Sequence, residues 1–399
     1  MQLLNTDIKN KVLDSMMQII ESRKDEILTA NKKDLEAFNR DDQALYDRLV
    51  VNDAKISGMI QAIKEVRDQE DPVSQEISNT TLDSGLKIIN KTAPFGTIMI
   101  IYESRPDVTI EAAVLAFKAN NKILLKGGKE AYHSNVVLVD CWKQALREND
   151  LDESWITMLQ MNREETQAFL KNPDQPLDLI VPRGGERLIG FVKEHAKCAV
   201  LVSGRGNNFL YVHPKADWAK TIEVIINAKT DKISGCNALD KVLVDKNIAN
   251  YESKIKELDE ILKAKGVEVL ADEASKEVLT GNAVIPNEDT WYEEFLAMKI
   301  VLGAVDSMDE AMEKINTYSG GHSSAIMTTD QEAATTFMEN IDTAAVYHNA
   351  STRFTDGGQM GVGAELAIST DKLHHRGPLG LKQLVTNKYY VFGDGHVRV

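Results

Sequence analysis

Residues 97–128, TIMIIYESRPDVTIEAAVLAFKANNKILLKGG, contain a complete strand–helix–strand unit. TIMIIY (97–102) is an unbroken apolar run of strand length. Ile110, Ala113, Val114 and Phe117 then recur at i, i+3, i+4 and i+7, the period of one helix face. KILLK (122–126) is a second short apolar run, ended by Gly127-Gly128. Two strands joined by one helix lie parallel, and a parallel sheet buries both faces under helices.

The alternation continues on both sides. An apolar run at 155–159 is followed by DLIVP (178–182), a helix near 185–195 and AVLV (199–202), with FLYV (209–212) expected to close this first sheet. From about 213 a second series begins, with strands expected at 241–245, 267–270, 298–302, 324–327 and 344–347 and helices between them. This pattern defines an α/β fold with two doubly wound parallel sheets, divided near residue 210. Residues 1–75 read as helical, and Asp71-Pro72 closes them. In the tail, TNKYYVFGD (386–394) has strand character and needs a partner edge, which the extended run at 86–92 is placed to supply.

Composition narrows the function. A chain of 399 residues with 43% hydrophobic and 27% charged residues is that of a soluble protein of two or three domains. The formal charge of −15 argues against nucleic acid or an anionic membrane as partner, and any anionic ligand then needs local cations. No apolar run reaches the ~18–20 residues that span a bilayer, and the first twenty residues lack the features of a secretory signal. The three cysteines, Cys141, Cys198 and Cys236, are widely spaced with no C-x-x-C, so neither disulfides nor a metal site is expected. A reducing cytoplasm suits them.

Cys236 stands apart from the other two. Cys198 enters an apolar strand and Cys141 lies in an apolar helix, whereas Cys236 sits in KISGCNALDK (232–241), between Gly235 and Asn237. A free cysteine is more often a small buried hydrophobe than a nucleophile. The polar setting favours the nucleophile, although no histidine is near in sequence to act as base. Elsewhere Arg183-Gly184-Gly185 follows a strand and opens a helix, an arrangement suited to phosphate. Lys126 ends a parallel strand, at the edge where α/β sheets bind ligands. Ser104 and Arg105 follow one strand and Arg353 another. Arginines at strand ends in different domains are candidates to hold an acidic substrate across a cleft.

Together PFGTIMIIYESRPDVTIEAA, ILLKGGKEA, VPRGGERLIGFV, NAKTDKISGCNALDKVLV, YSGGHSSAIMT, NASTRFTDGGQMGVGAE and HHRGPLGLKQLVTNKYYVFGDG resemble the glutamate-5-semialdehyde dehydrogenase (γ-glutamyl phosphate reductase) family of the aldehyde dehydrogenase superfamily. The resemblance spans the chain from about residue 90. It implies reduction of L-glutamyl 5-phosphate to L-glutamate 5-semialdehyde by NADPH, with release of phosphate, in proline biosynthesis. Cys236 matches the nucleophile, and Ser104, at the place of the superfamily's asparagine, is a candidate oxyanion donor. Lys126, Glu294 and the Arg183-Gly184-Gly185 turn match cofactor contacts. Arg105, Arg353 and Asn237 are the candidate substrate contacts.

In hydrolytic relatives a Glu-Leu-Gly-Gly-Lys stretch carries a general-base glutamate. The matching SGRGNN (203–208) has Ser203 in its place, which suits an enzyme that must keep water from its thioester. The resemblance further implies an NADP(H)-binding domain at 1–79 and 94–209, a catalytic domain at 210–383, and an oligomerisation arm at 80–93 and 384–399. A homo-oligomer follows from the arm, and transient contact with glutamate 5-kinase is expected from the lability of an acyl phosphate. A CoA-acylating aldehyde dehydrogenase would share the thiol and the missing base. A scaffolding relic of the fold has no need of Cys236.

Overall fold

The computed structural model of the protein describes residues 2–39 and 43–398. Met1, Arg40, Asp41, Asp42 and Val399, which fall in the expected helical N-terminus and arm, lie outside the described residues. The chain divides into two compact units, 1–202 with 361–367 and 379–399, and 203–360 with 368–378.

The first unit is built on a five-stranded parallel sheet. Its strands run in the order Ile156–Met158, Lys122–Lys126, Thr97–Tyr102, Leu179–Arg183, Ala199–Val200. Thr97–Tyr102 is central, pairing with both Lys122–Lys126 and Leu179–Arg183, as its continuous apolar sequence requires. The connecting helix, Pro106–Lys118, buries nearly every residue rather than a single stripe. It is covered on its outer side by the N-terminal helices, so it is apolar all round. Thr6–Ser22 begins where the Asn5 side chain accepts the Ile8 N–H at 2.9 Å, and it turns Val12, Leu13, Met16, Ile19 and Ile20 inward. The fully buried Lys9 ammonium meets Asp71 at 2.8 Å, which ties the start of this helix to the end of the helical region.

A small antiparallel sheet completes this unit, in the order Glu76–Thr81, Lys87–Pro94, Val385–Phe392. The tail strand pairs along its whole length with Lys87–Pro94, from Val385 opposite Pro94 to Phe392 opposite Lys87. Ile77, Tyr389, Val391 and Phe392 remain exposed on its outer strands.

The second unit carries a seven-stranded sheet, all of it parallel, in the order Ala283–Val284, Glu268–Ala271, Lys299–Val305, Leu239–Asp245, Asn208–Val212, Ser323–Met327, Ala345–His348. Here the structure corrects the sequence reading. FLYV does not close the first sheet; it lies within Asn208–Val212, in the middle of the second, between Leu239–Asp245 and Ser323–Met327. The chain crosses between units at Val202/Ser203 rather than near 210, and 361–367 and 379–383 return to the first unit. Proximity in sequence to AVLV suggested the first sheet, whereas the strand's long-range pairings decide otherwise. Among the described residues no helix is long and apolar enough to cross a membrane.

Candidate active site

In the first unit the relevant residues gather at the C-terminal ends of the parallel strands. After Tyr102, whose hydroxyl meets Thr109 Oγ1 at 2.6 Å, the chain turns through Ser104 into helix Pro106–Lys118. Ser104 is buried and its hydroxyl donates to Glu130 Oε1 at 2.7 Å. Arg105 reaches Asp107 at 2.9 Å. Lys126 ends its strand with Nζ donating to the Gly127 carbonyl at 3.0 Å. Burial pushes its pKa down, and the Glu130 carboxylate opposes that shift.

Arg183 ends the neighbouring strand and donates to the Leu366 carbonyl. A Cβ on Gly184 would lie 2.8 Å from Leu188 Cδ2 and 2.9 Å from the Glu103 carboxyl carbon, so those two side chains pack directly over this glycine. Gly185 then caps helix Glu186–His195, whose N-terminal N–H groups favour an anion. Beside this helix an open groove of about 480 Å³ is lined by Arg163, Gln167, Arg187, Gly190, Phe191 and His195, among others. The Arg163 guanidinium lies 5.4 Å from the centre of the Phe191 ring. Nothing in the sequence marks this groove. Its residues come from two helices about twenty positions apart, and only their packing joins them.

In the second unit Cys236 occupies a turn between helix Trp218–Thr230 and strand Leu239–Asp245. It is partly exposed, and none of the three cysteines is in a disulfide. The turn closes through Gly235 N–H to Lys232 O (3.1 Å) and Ala238 N–H to Gly235 O (3.0 Å). It rests on the SGRGNN stretch: Asn208 Nδ2 donates to Cys236 O at 2.8 Å, Ala238 O at 2.7 Å and Gly206 O at 2.9 Å. Gly206 faces the turn so closely that a Cβ there would sit 2.0 Å from Cys236 O.

Asn237 acts as a tether. Its side-chain amide donates to the carbonyls of Arg353 (3.1 Å) and Thr355 (2.9 Å), while its backbone carbonyl accepts from Thr352 Oγ1 at 2.8 Å. Both amide hydrogens are thus engaged within the protein, while its Oδ1 is buried without a hydrogen-bond partner. Thr355 is braced in turn by Ser323 Oγ at 2.7 Å, and Ser323 by His322 Nδ1 at 2.7 Å. Burial lowers the His322 pKa to about 4, so this imidazole is neutral at pH 7. Arg353 itself meets Asp231 at 3.1 Å.

Glu294 lies in a loop that side chains clamp from both ends. Asn207 donates to Trp291 O at 2.6 Å, Arg205 to Tyr292 O at 2.9 Å and Lys241 to Glu293 O, while Phe295 N–H donates to Asp240 at 3.0 Å. Lys241 is fully buried, with Nζ 2.7 Å from Asn207 Oδ1 and 4.0 Å from the centre of the Phe295 ring. Burial pulls its pKa down to about 8. One framework therefore holds both the Cys236 turn and the Glu294 loop. Nothing in the sequence marks it, because a lysine beside Val242-Leu243-Val244 reads as an ordinary strand end. Among the described residues no group of three or more His, Cys, Asp or Glu is placed to hold a metal ion.

Paired doubly wound units, one carrying a cysteine in a glycine-flanked turn, are the arrangement of the aldehyde dehydrogenase family. The model of that family matches residues 2–276 and 250–365, and the chain belongs to it. Within that family the chain belongs with the γ-glutamyl phosphate reductases. The gamma-glutamyl phosphate reductase of Persephonella marina is 42% identical over 99% of this chain and 90% of its own length. The crystal structure of gamma-glutamyl phosphate reductase from Thermotoga maritima has a TM-score of 0.94 at 40% identity, covering 99% of this chain and 95% of that one. An acetylating aldehyde dehydrogenase from Geobacillus thermoglucosidasius, 17% identical, covers 99% of this chain and 94% of that one with a TM-score of 0.68, a likeness of fold alone.

Proposed function

We propose that this chain reduces L-glutamyl 5-phosphate to L-glutamate 5-semialdehyde, with release of phosphate, through a thioester on Cys236. The Cys236 thiolate attacks the acyl carbon; the new C–S bond replaces the C–O bond to phosphate, which leaves. Bound NADPH supplies the hydride. The resulting thiohemiacetal then collapses, the C–S bond breaks and the thiolate is regenerated with the aldehyde. The Cys236 backbone N–H is the first candidate donor to the oxyanion of both tetrahedral species. Ser104 can join it only by giving up its bond to Glu130.

The observation that carries the acyl-phosphate reading is the contact of the Cys236 turn with Gly206 and Asn208. They belong to SGRGNN, a stretch with no carboxylate to activate water against the thioester.

The first unit fits a phosphorylated dinucleotide. The tight Gly184 turn and the free end of helix Glu186–His195 suit a pyrophosphate, with Arg183 beside them. The adjacent groove offers Phe191 for an adenine face and Arg163 and Arg187 for a 2′-phosphate, with Lys126 on the ribose. Glu294, in its clamped loop, is the candidate for the nicotinamide ribose. The exposed apolar residues of the small sheet suit a homo-oligomer contact, and the activity suits the cytoplasm and a transient encounter with the kinase that makes the substrate.

A direct assay tests the function. Freshly made glutamyl 5-phosphate should oxidise NADPH with one phosphate released per turnover and no requirement for CoA. Enzyme-dependent phosphate release without NADPH oxidation would contradict the reading, and a need for CoA would replace it with the acylating one.

A further inference from the structure

We infer that a cavity beside the Cys236 turn is a head-group site for an α-amino acid, reading both the carboxylate and the ammonium of the substrate. The inference rests on the Cys236 mechanism above and adds what selects the substrate. The cavity, of about 300 Å³, is lined by Asn227, Asp231, Arg353, Phe354, Asp356 and Gln359. That volume is at the small end of ligand sites. Its lining holds one cation, two carboxylates and two amides, a set that matches a zwitterion rather than a simple acid.

The geometry joins this cavity to the nucleophile. Arg353 Nη1 lies 2.9 Å from where a Cβ on Gly235 would be, so the guanidinium rests over the residue next to Cys236. Asp231 takes the Arg353 Nε–H at 3.1 Å, and Asn237 holds the Arg353 carbonyl at 3.1 Å, which orients the arginine from both ends. Arg353 is mostly covered, its side chain 17% exposed, so its charge acts in a partly desolvated setting. A carboxylate on this guanidinium makes a charge-assisted, bidentate contact.

Asp356 fits the ammonium. Its Oδ1 accepts the N–H groups of Gly358 (3.0 Å) and Gln359 (3.2 Å), which fixes the carboxylate at the cavity wall. In glutamyl 5-phosphate three bonds separate the α-carbon from the acyl carbon, a reach of about one Cα–Cα spacing, ~3.8 Å. With the ion-pair contact and the carboxylate bond added to this span, a head group on Arg353, beside residue 235, leaves the acyl carbon within reach of residue 236.

The test uses the reverse reaction with NADP and phosphate, comparing three aldehydes. Glutamate 5-semialdehyde has both head-group charges, 5-oxopentanoate lacks the ammonium, and pentanal lacks both. In the native chain kcat/KM should fall by about tenfold or more at each step, since a site built for a polar group rejects the analogue without it. In Asp356→Asn the ratio between the first two should collapse towards one. In Arg353→Met the ratio between 5-oxopentanoate and pentanal should collapse instead. If either variant keeps the native ratio, its assigned role is overturned. If the native chain itself shows no preference among the three, the head-group site is overturned while the Cys236 chemistry stands. Absence of phosphate-dependent NADPH formation from all three would instead overturn the underlying mechanism.

Discussion

Cys236→Ser should bind NADPH as the native chain does and lose turnover by roughly 10³-fold or more, the order seen when a nucleophile is removed. The turn that carries the side chain is closed by backbone hydrogen bonds and by Asn208 Nδ2 on the Cys236 carbonyl. Serine therefore keeps the turn. It loses the chemistry, because an alcohol is far less ionised than a thiol whose ordinary pKa is about 8.5. Cofactor binding, followed by NADPH fluorescence, should not change, since its candidate contacts lie elsewhere. A serine variant that retains near-native turnover would show that another group attacks the acyl phosphate.

Gly206→Ala should be nearly as damaging, with no chemical group removed. The added methyl would lie 2.0 Å from Cys236 O and 2.6 Å from its Cα, against backbone that no rotamer change relieves. Either the SGRGNN stretch or the Cys236 turn must move. A displacement near 1 Å costs about 10²-fold in rate, and the strain should lower stability by about 1–3 kcal/mol. Gly281→Ala is the control: no atom lies within 4 Å of its Cβ position, so activity and Tm should stay native. Native kcat in Gly206→Ala would mean that the turn can shift without harm, and that Gly206 does not set the nucleophile's position.

Much of this architecture is readable from the strands. In a parallel sheet covered on both faces, central strands are continuous apolar runs, and TIMIIY, KILLK and LIVP announce themselves so. The sequence does not reveal the order in which strands pair. FLYV follows AVLV closely in the chain, yet its partners are Leu239–Asp245 and Ser323–Met327, a choice made by contacts far apart in sequence.

The site divides in the same way. Cys236 is visible because glycine, asparagine and serine around it do not belong to a core strand. The framework beneath it is not, because Arg205, Asn207, Asp240 and Lys241 act through backbone groups some fifty to ninety residues away. Asn237 is a mixed case. Its place beside the nucleophile suggested a substrate contact; its two amide hydrogens hold the Arg353–Thr355 segment, while its Oδ1 is buried without a hydrogen-bond partner.

The central claim, an acyl-enzyme on Cys236 that passes to phosphate and not to water, is tested most directly by running the reaction backwards. Glutamate 5-semialdehyde and NADP without phosphate should give a single burst of NADPH, at most one per active site, and then stop. Adding phosphate should start steady turnover. Continuous NADPH formation without phosphate would show that water reaches the thioester, and would contradict the account.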